Sequence, residues 1–155
     1  MLRQLIVVAV AFVSGPVLVA GDKEAPRVVP PQQAGVGRLV SDFSAVDVGG
    51  NAVRLAEVGK GRQAVVVAVT STSCPISLKY LPTLAKLEKE FAAKGVAFVY
   101  LNPISTDSPD KIRTLIATHG LKGSYIHDKD GVVAKEIGAT STGDFFLLRT
   151  KILLL

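Results

Sequence analysis

A single cysteine, Cys74, stands in a chain of 155 residues that has no tryptophan and one methionine. One thiol cannot form a disulfide within the chain, so the fold must rest on its core rather than on covalent staples. The same scarcity excludes a two-thiol redox cycle inside one molecule and any zinc site built on cysteine pairs. With one cysteine, and with His119 and His127 in no ligand-spacing motif, neither a metal nor another cofactor is expected. No basic stripe with interleaved aromatics occurs, and the formal net charge of +5 is spread along the chain, so nucleic acid is not an expected partner. No G-x-S-x-G elbow is present to support a hydrolase triad. The "GVG" of Gly35 to Gly37 is followed by no helix and reads as linker, and "DKDG" lacks the later Glu of a calcium loop and reads as a turn.

What the chain does have begins with "MLRQLIVVAVAFVSGPVLVAG": Arg3, an apolar run from Leu5 to Val13, and a small-residue exit at Val19, Ala20 and Gly21. This is the pattern of a secretory signal peptide over residues 1–21, cut near Ala20 or Gly21. The run to Ala20 is shorter than the ~20 residues of a spanning helix and is broken by Pro16, so a membrane association is expected only through an uncleaved signal anchor. The expected location is periplasmic or extracellular. Residues 22–37, rich in Pro, Gly and polar residues, read as a tether.

From residue 38 to 155 the pattern is that of one α/β domain. Two short apolar runs flank Gly49, Gly50 and Asn51, a β-hairpin signal that carries the second run through "RLAEV". "QAVVVAVT", Gln63 to Thr70, is a β-branched run suited to a central strand buried on both faces. Leu81, Leu84, Leu87 and Phe91 then recur at helical spacing from Pro75 to about Lys94, where Gly95 stops the helix and Pro82 is expected to kink it. A strand at Val96 to Leu101 follows. Ser108 as cap and Pro109 at the first position open a second helix that Gly120 ends. A strand at Ser124 to His127, a short helix at Val132 to Ile137 and a strand in "DFFLLR" complete an α/β sandwich around a mixed sheet. After Arg149 to Lys151 the sequence runs into "ILLL"; a bare final strand would be a sticky edge, so either an edge hairpin or a missing covering piece is expected there.

Cys74 falls at the start of the first long helix, where unpaired N–H groups and the positive end of the helix dipole favour a thiolate. Pro75 suits the first helical position because its missing N–H costs nothing there. Ser77, one turn on, is expected to turn its hydroxyl to the sulfur, while Ser71, Thr72 and Ser73 keep the approach polar. Free cysteine is more often a small buried hydrophobe, but the position after a buried strand is where α/β folds place ligands. Lys79 and Tyr80 follow on the helix, with Lys79 read as a surface charge; His119 suits the end of its helix through the dipole.

The stretch "VVVAVTSTSCPISLKYLPTLAKLEKEFAAKGVAFVYLNP" resembles the thioredoxin-like redoxins of the alkyl hydroperoxide reductase and thiol-specific antioxidant family, especially exported bacterial ones with Cys-Pro at the helix start. The resemblance runs from about Gly37 to Leu148 and implies a thioredoxin-like fold: a central mixed sheet flanked by helices, with an N-terminal hairpin and a truncated C-terminal hairpin and helix. Three departures stand beside it. Ser77 occupies the place of the resolving cysteine in Cys-x-x-Cys relatives. Val67 and Ser71 stand where peroxiredoxins carry Pro and Thr, leaving Ser71 to replace part of the Thr hydroxyl's role. Thr142 and Gly143 stand where the family has Thr and a cis-proline, so a trans or irregular substrate-backbone loop is expected.

The expected activity is a thiol-dependent oxidoreductase or antioxidant in which Cys74 attacks a disulfide or peroxide and an external thiol or thioredoxin-type reductant resolves the product. The alternative is a redox-inactive thioredoxin-like module that binds a protein partner through the surface around Cys74 and Thr142.

Overall fold

The structure, a computed structural model, describes residues 35–150. The readings of a signal peptide, of most of the tether and of the terminal "ILLL" therefore lie outside the described residues. Every element belongs to the compact unit that starts at Arg38.

A hairpin of β1 (Ser44–Val46) and β2 (Ala52–Arg54) comes first, paired antiparallel with Ala45 opposite Val53. Its turn is held by Asp47, whose Oδ1 accepts from the N–H groups of Gly49 and Asn51. The second run does not continue as a strand. Leu55–Gly59 forms a short helix, α1, because the Asp42 carboxylate accepts from the Ala56 N–H at 2.8 Å and Leu55 turns fully into the core. Alternation of apolar residues does not separate these two outcomes over so few positions.

The main sheet contains β3 (Ala64–Val69), β4 (Val96–Asn102), β5 (Ser124–His127) and β6 (Phe145–Arg149), in the order β5-β4-β3-β6. Strands β3, β4 and β5 are parallel and β6 is antiparallel to β3, with Val67 between Val99 and Phe146. The Val-rich run is thus an interior strand, as its burial on both faces requires. Period-two alternation divides the core. Val65, Val67, Val69, Val99 and Leu101 pack with the hairpin side and with Val133 and Ile137 of α4 (Val132–Ile137). Ala68, Phe98 and Tyr100 face the opposite way, against Leu81 and Leu84 of α2 (Pro75–Ala92) and Ile112 and Leu115 of α3 (Pro109–His119).

Helix α2 is continuous through Pro82 and ends two residues earlier than its sequence pattern suggests, in a turn closed by bonds from Lys94 N–H to Phe91 O and from Gly95 N–H to Ala92 O. Glu88, buried on the sheet side of α2, accepts from the Tyr100 hydroxyl at 2.9 Å and the Lys122 N–H at 3.0 Å, which ties the helix to β4 and to the approach to β5. Helix α3 starts and stops as its signals indicate: the Ser108 hydroxyl accepts from the Lys111 N–H, and Gly120 adopts the left-handed conformation at the end.

Among the described residues β6 is a sheet edge, and exposed Phe145 and Leu147 line a groove of about 870 Å³ with Leu84, Leu87, Phe91 and Phe98. No helix among the described residues is long and apolar enough to cross a membrane.

Candidate active site

Parallel strands β3, β4 and β5 end on the same edge of the sheet, and their C-terminal ends bring together Thr70, Asn102 and His127. Thr70 is still strand-like: its N–H donates to Leu101 O at 2.8 Å and its hydroxyl lies 2.8 Å from the buried Tyr125 hydroxyl. The chain then turns into the loop that carries Cys74. Ser71 is completely buried, and its hydroxyl donates to Oδ2 of Asp107 at 3.0 Å while its oxygen accepts from the N–H groups of Ser73 and Cys74 at 3.0 and 3.3 Å. The same Asp107 oxygen accepts from the Thr72 N–H at 2.7 Å and from the Asn102 side-chain amide at 2.9 Å.

Burial alone would raise the Asp107 pKa. The bonds from Asn102, the Thr72 backbone and Ser71 outweigh it and hold the carboxyl at about 2, so it is ionised at neutral pH. Neither Asp107 nor Asn102 was marked out by sequence reasoning. The available signal was an Asn ending an otherwise apolar buried strand, next to a polar "STDSPD" loop.

Cys74 itself is the N-cap of α2, in extended conformation, half-buried, with Pro75 at the first helical position. Its thiol pKa is lowered, first by a hydrogen bond from the Thr142 side chain, then by the Ser77 N–H and, more weakly, by the Ile76 N–H; partial burial opposes them. Backbone donors at a helix start are well placed for this, since they have no intrahelical acceptor. The expected role of the Ser77 hydroxyl needs correction. Ser77 is buried and its oxygen accepts from the Ser71 N–H at 2.9 Å, so Ser77 serves the sulfur through its backbone and braces the loop with its side chain. Ser71 likewise has its hydroxyl committed to Asp107 and no exposed surface, so it cannot take the part of a peroxide-facing Thr hydroxyl.

Thr142 reaches the sulfur from the loop before β6. That loop is organised by Asp144, whose Oδ2 accepts from the N–H groups of Thr140 and Ser141 at 2.7 and 2.9 Å, and it docks on β3 through Gly143 N–H to Val69 O and Val69 N–H to Asp144 O. The bond from the Thr140 N–H is the chief cause of a lowered Asp144 pKa. No cis peptide occurs among the described residues, and Gly143 takes a φ of 121°, which a proline ring cannot adopt. The loop thus reaches the site with its own backbone conformation.

The remaining candidates stand apart from the sulfur. Lys79 is exposed on α2. Exposed Tyr80 meets Phe145 edge-on. His119 lies in the last turn of α3. His127 sits on the same sheet edge, its Nε2 3.1 Å from Ile104 O. Among the described residues no three His, Cys, Asp or Glu side chains form a group that could hold a metal.

A parallel β3-β4-β5 core with antiparallel β6, helices on both faces and a cysteine capping the helix after β3 define a thioredoxin-like protein. The chain belongs to the AhpC/TSA family, whose model matches residues 36–154. Among solved structures, a hypothetical protein from Sinorhizobium meliloti 1021 is 32% identical with a TM-score of 0.66, over 72% of this chain and 63% of that one. An uncharacterized conserved protein from Geobacillus kaustophilus is 29% identical with a TM-score of 0.69, over 75% and 64%. This chain therefore spans a little under two thirds of the length of these two relatives. A secreted Mycobacterium tuberculosis disulfide oxidoreductase shares the fold at 19% identity, with a TM-score of 0.61 over 70% of this chain and 76% of that one. No curated protein matches the chain.

Proposed function

We propose that the protein is a thiol-disulfide oxidoreductase that works through one nucleophilic cysteine, Cys74, and is resolved by an external thiol. The observation that carries the reading is the place of Cys74, a free, half-exposed thiol capping α2 directly after the buried strand β3, where the helix start and the Thr142 side chain lower its pKa. The Cys74 thiolate attacks one sulfur of a partner disulfide, forming a mixed disulfide and releasing the other sulfur as a thiolate. A second thiolate, from an external thiol or a thioredoxin-type reductant, then attacks the mixed disulfide and regenerates Cys74. With one cysteine in the chain, resolution must come from outside.

The burial of Ser71 favours disulfides over peroxides as substrates, because peroxide chemistry lacks its usual hydroxyl here. With a peroxide, the thiolate would take one oxygen to give a sulfenic acid and the corresponding alcohol or water, and two external thiols would return it to the thiol as a disulfide and water. We further take residues 1–21 as an export signal and 22–37 as a tether to the domain at 38–155, so that the protein acts in the periplasm or outside the cell.

Intact-mass measurement after exposure to a small aromatic disulfide, with and without added thiol, tests the reading. The expected result is one adduct on the wild type, removed by thiol, and none on Cys74→Ser. A wild-type protein that forms no adduct in the time a free cysteine peptide does would overturn the reading. It would favour a redox-inactive binding module, for which exposed Ile76, Tyr80 and Phe145 offer an apolar surface.

A further inference from the structure

Asp107 is the most fully engaged charge at this edge of the sheet. It comes from the loop before α3, is 4% exposed, and forms no salt bridge among the described residues. A buried carboxylate without a cation is costly unless it is saturated with hydrogen bonds, and three donors converge on one of its oxygens: the Ser71 hydroxyl, the Thr72 N–H and the Asn102 amide. Two of the three belong to the loop that delivers Cys74.

Ser71 has a single O–H and its oxygen must serve the N–H groups of Ser73 and Cys74. An ionised carboxylate can only accept, so Asp107 settles the direction of that one proton and leaves the Ser71 lone pairs facing the loop. The Cys74 N–H is then occupied, Pro75 has none and the Leu78 N–H closes on Cys74 O, which leaves the N–H groups of Ile76 and Ser77 as the donors at the open start of α2.

From this allocation we infer that Asp107 is a positioning residue of the Cys74 site, acting through the Ser71 hydroxyl to hold the β3–α2 loop and the Cys74 backbone at the start of α2, where unpaired N–H groups favour a thiolate. The inference deepens the thiol-redox reading and rests on it. Asp107 does not touch the sulfur or a substrate.

The test is the pH dependence of Cys74 alkylation by iodoacetamide in the full chain, for wild type, Asp107→Ala, Asp107→Asn, Ser71→Ala and the double variant Asp107→Asn/Ser71→Ala. Asp107→Ala and Ser71→Ala should each move the midpoint to higher pH and slow alkylation at neutral pH roughly tenfold, the effect of about one pH unit in the midpoint. Asp107→Asn keeps an acceptor but loses the charge-assisted strength, so it should slow alkylation about threefold. The double variant should be no slower than Ser71→Ala, because the two residues act in series. Loss of stability with an unmoved midpoint in folded Asp107→Ala would overturn the inference, as would a double variant whose two effects multiply. If Asp107→Ala does not fold, Asp107→Asn decides, and a wild-type midpoint there overturns it. A wild-type midpoint at the free-thiol value would instead overturn the redox reading, and the differences among the variants would still decide the role of Asp107.

Discussion

Two loops meet at the Cys74 sulfur, and each is organised by one aspartate. Asp107 binds the β3–α2 loop from 35 residues away and is buried; Asp144 binds Thr140 and Ser141, four and three residues before it, in a turn open to solvent. The thiol side of the site is therefore held by buried side-chain bonds between elements, and the Thr142 side by an exposed turn docked on β3 through two backbone bonds at Val69. A bond network that spans elements fails only when the fold loosens around it, whereas a local turn can rearrange while the core stays intact. The half held by buried bonds carries the nucleophile, and the half with the exposed turn carries Thr142.

Removing each aspartate is the sharpest way to break this contrast. Asp107→Ala strands the Ser71, Thr72 and Asn102 donors in a buried site and should cost about 3 kcal/mol in denaturant unfolding. Asp144→Ala should cost about 1 kcal/mol, since water can replace the carboxylate in an open turn. Equal losses would remove the distinction between the two loops.

Acid titration sharpens it further. The Asp107 pKa is held at about 2 in the fold against an ordinary 3.8, so its contribution is fully present above pH 4 and is lost as pH falls from about 4 through 2. This amounts to about 2 kcal/mol of wild-type stability over that window. Asp107→Asn should lack that part of the fall; identical acid curves would mean the carboxylate is not held as described. The smallest effect on stability belongs to Thr142→Val, expected within about 0.5 kcal/mol of wild type. It should nevertheless raise the thiol pKa, because the Thr142 side chain is the chief cause of its lowering.

The order of strands and helices was legible because each long element carries its own period and its own stop: the Val run of β3, the Leu stripe of α2, Ser108 and Gly120 around α3. Cys74 at a helix start was legible for the same reason, since the strand and the helix each announce themselves on either side of it. Helix α1 was not, because five residues are too few to separate the periods of 2 and 3.6. Nor was the exchange of roles at Ser77: sequence places its side chain one turn from the sulfur, but which of its groups faces the sulfur depends on the packing of the Ser71 turn. Asp107 was hidden for a related reason. A carboxylate between a Thr and a Ser in a polar loop looks solvated, and only the parallel register of β3 and β4 carries it under the cysteine loop.

The most direct test of the account is a spectroscopic titration of the Cys74 thiolate in the wild-type protein, following ultraviolet absorbance against pH with Cys74→Ser as the blank. The account predicts a midpoint clearly below the ~8.5 of a free thiol. A midpoint at or above that value would mean that the donors gathered around the sulfur do not stabilise its anion, and the protein would not be the single-cysteine oxidoreductase proposed.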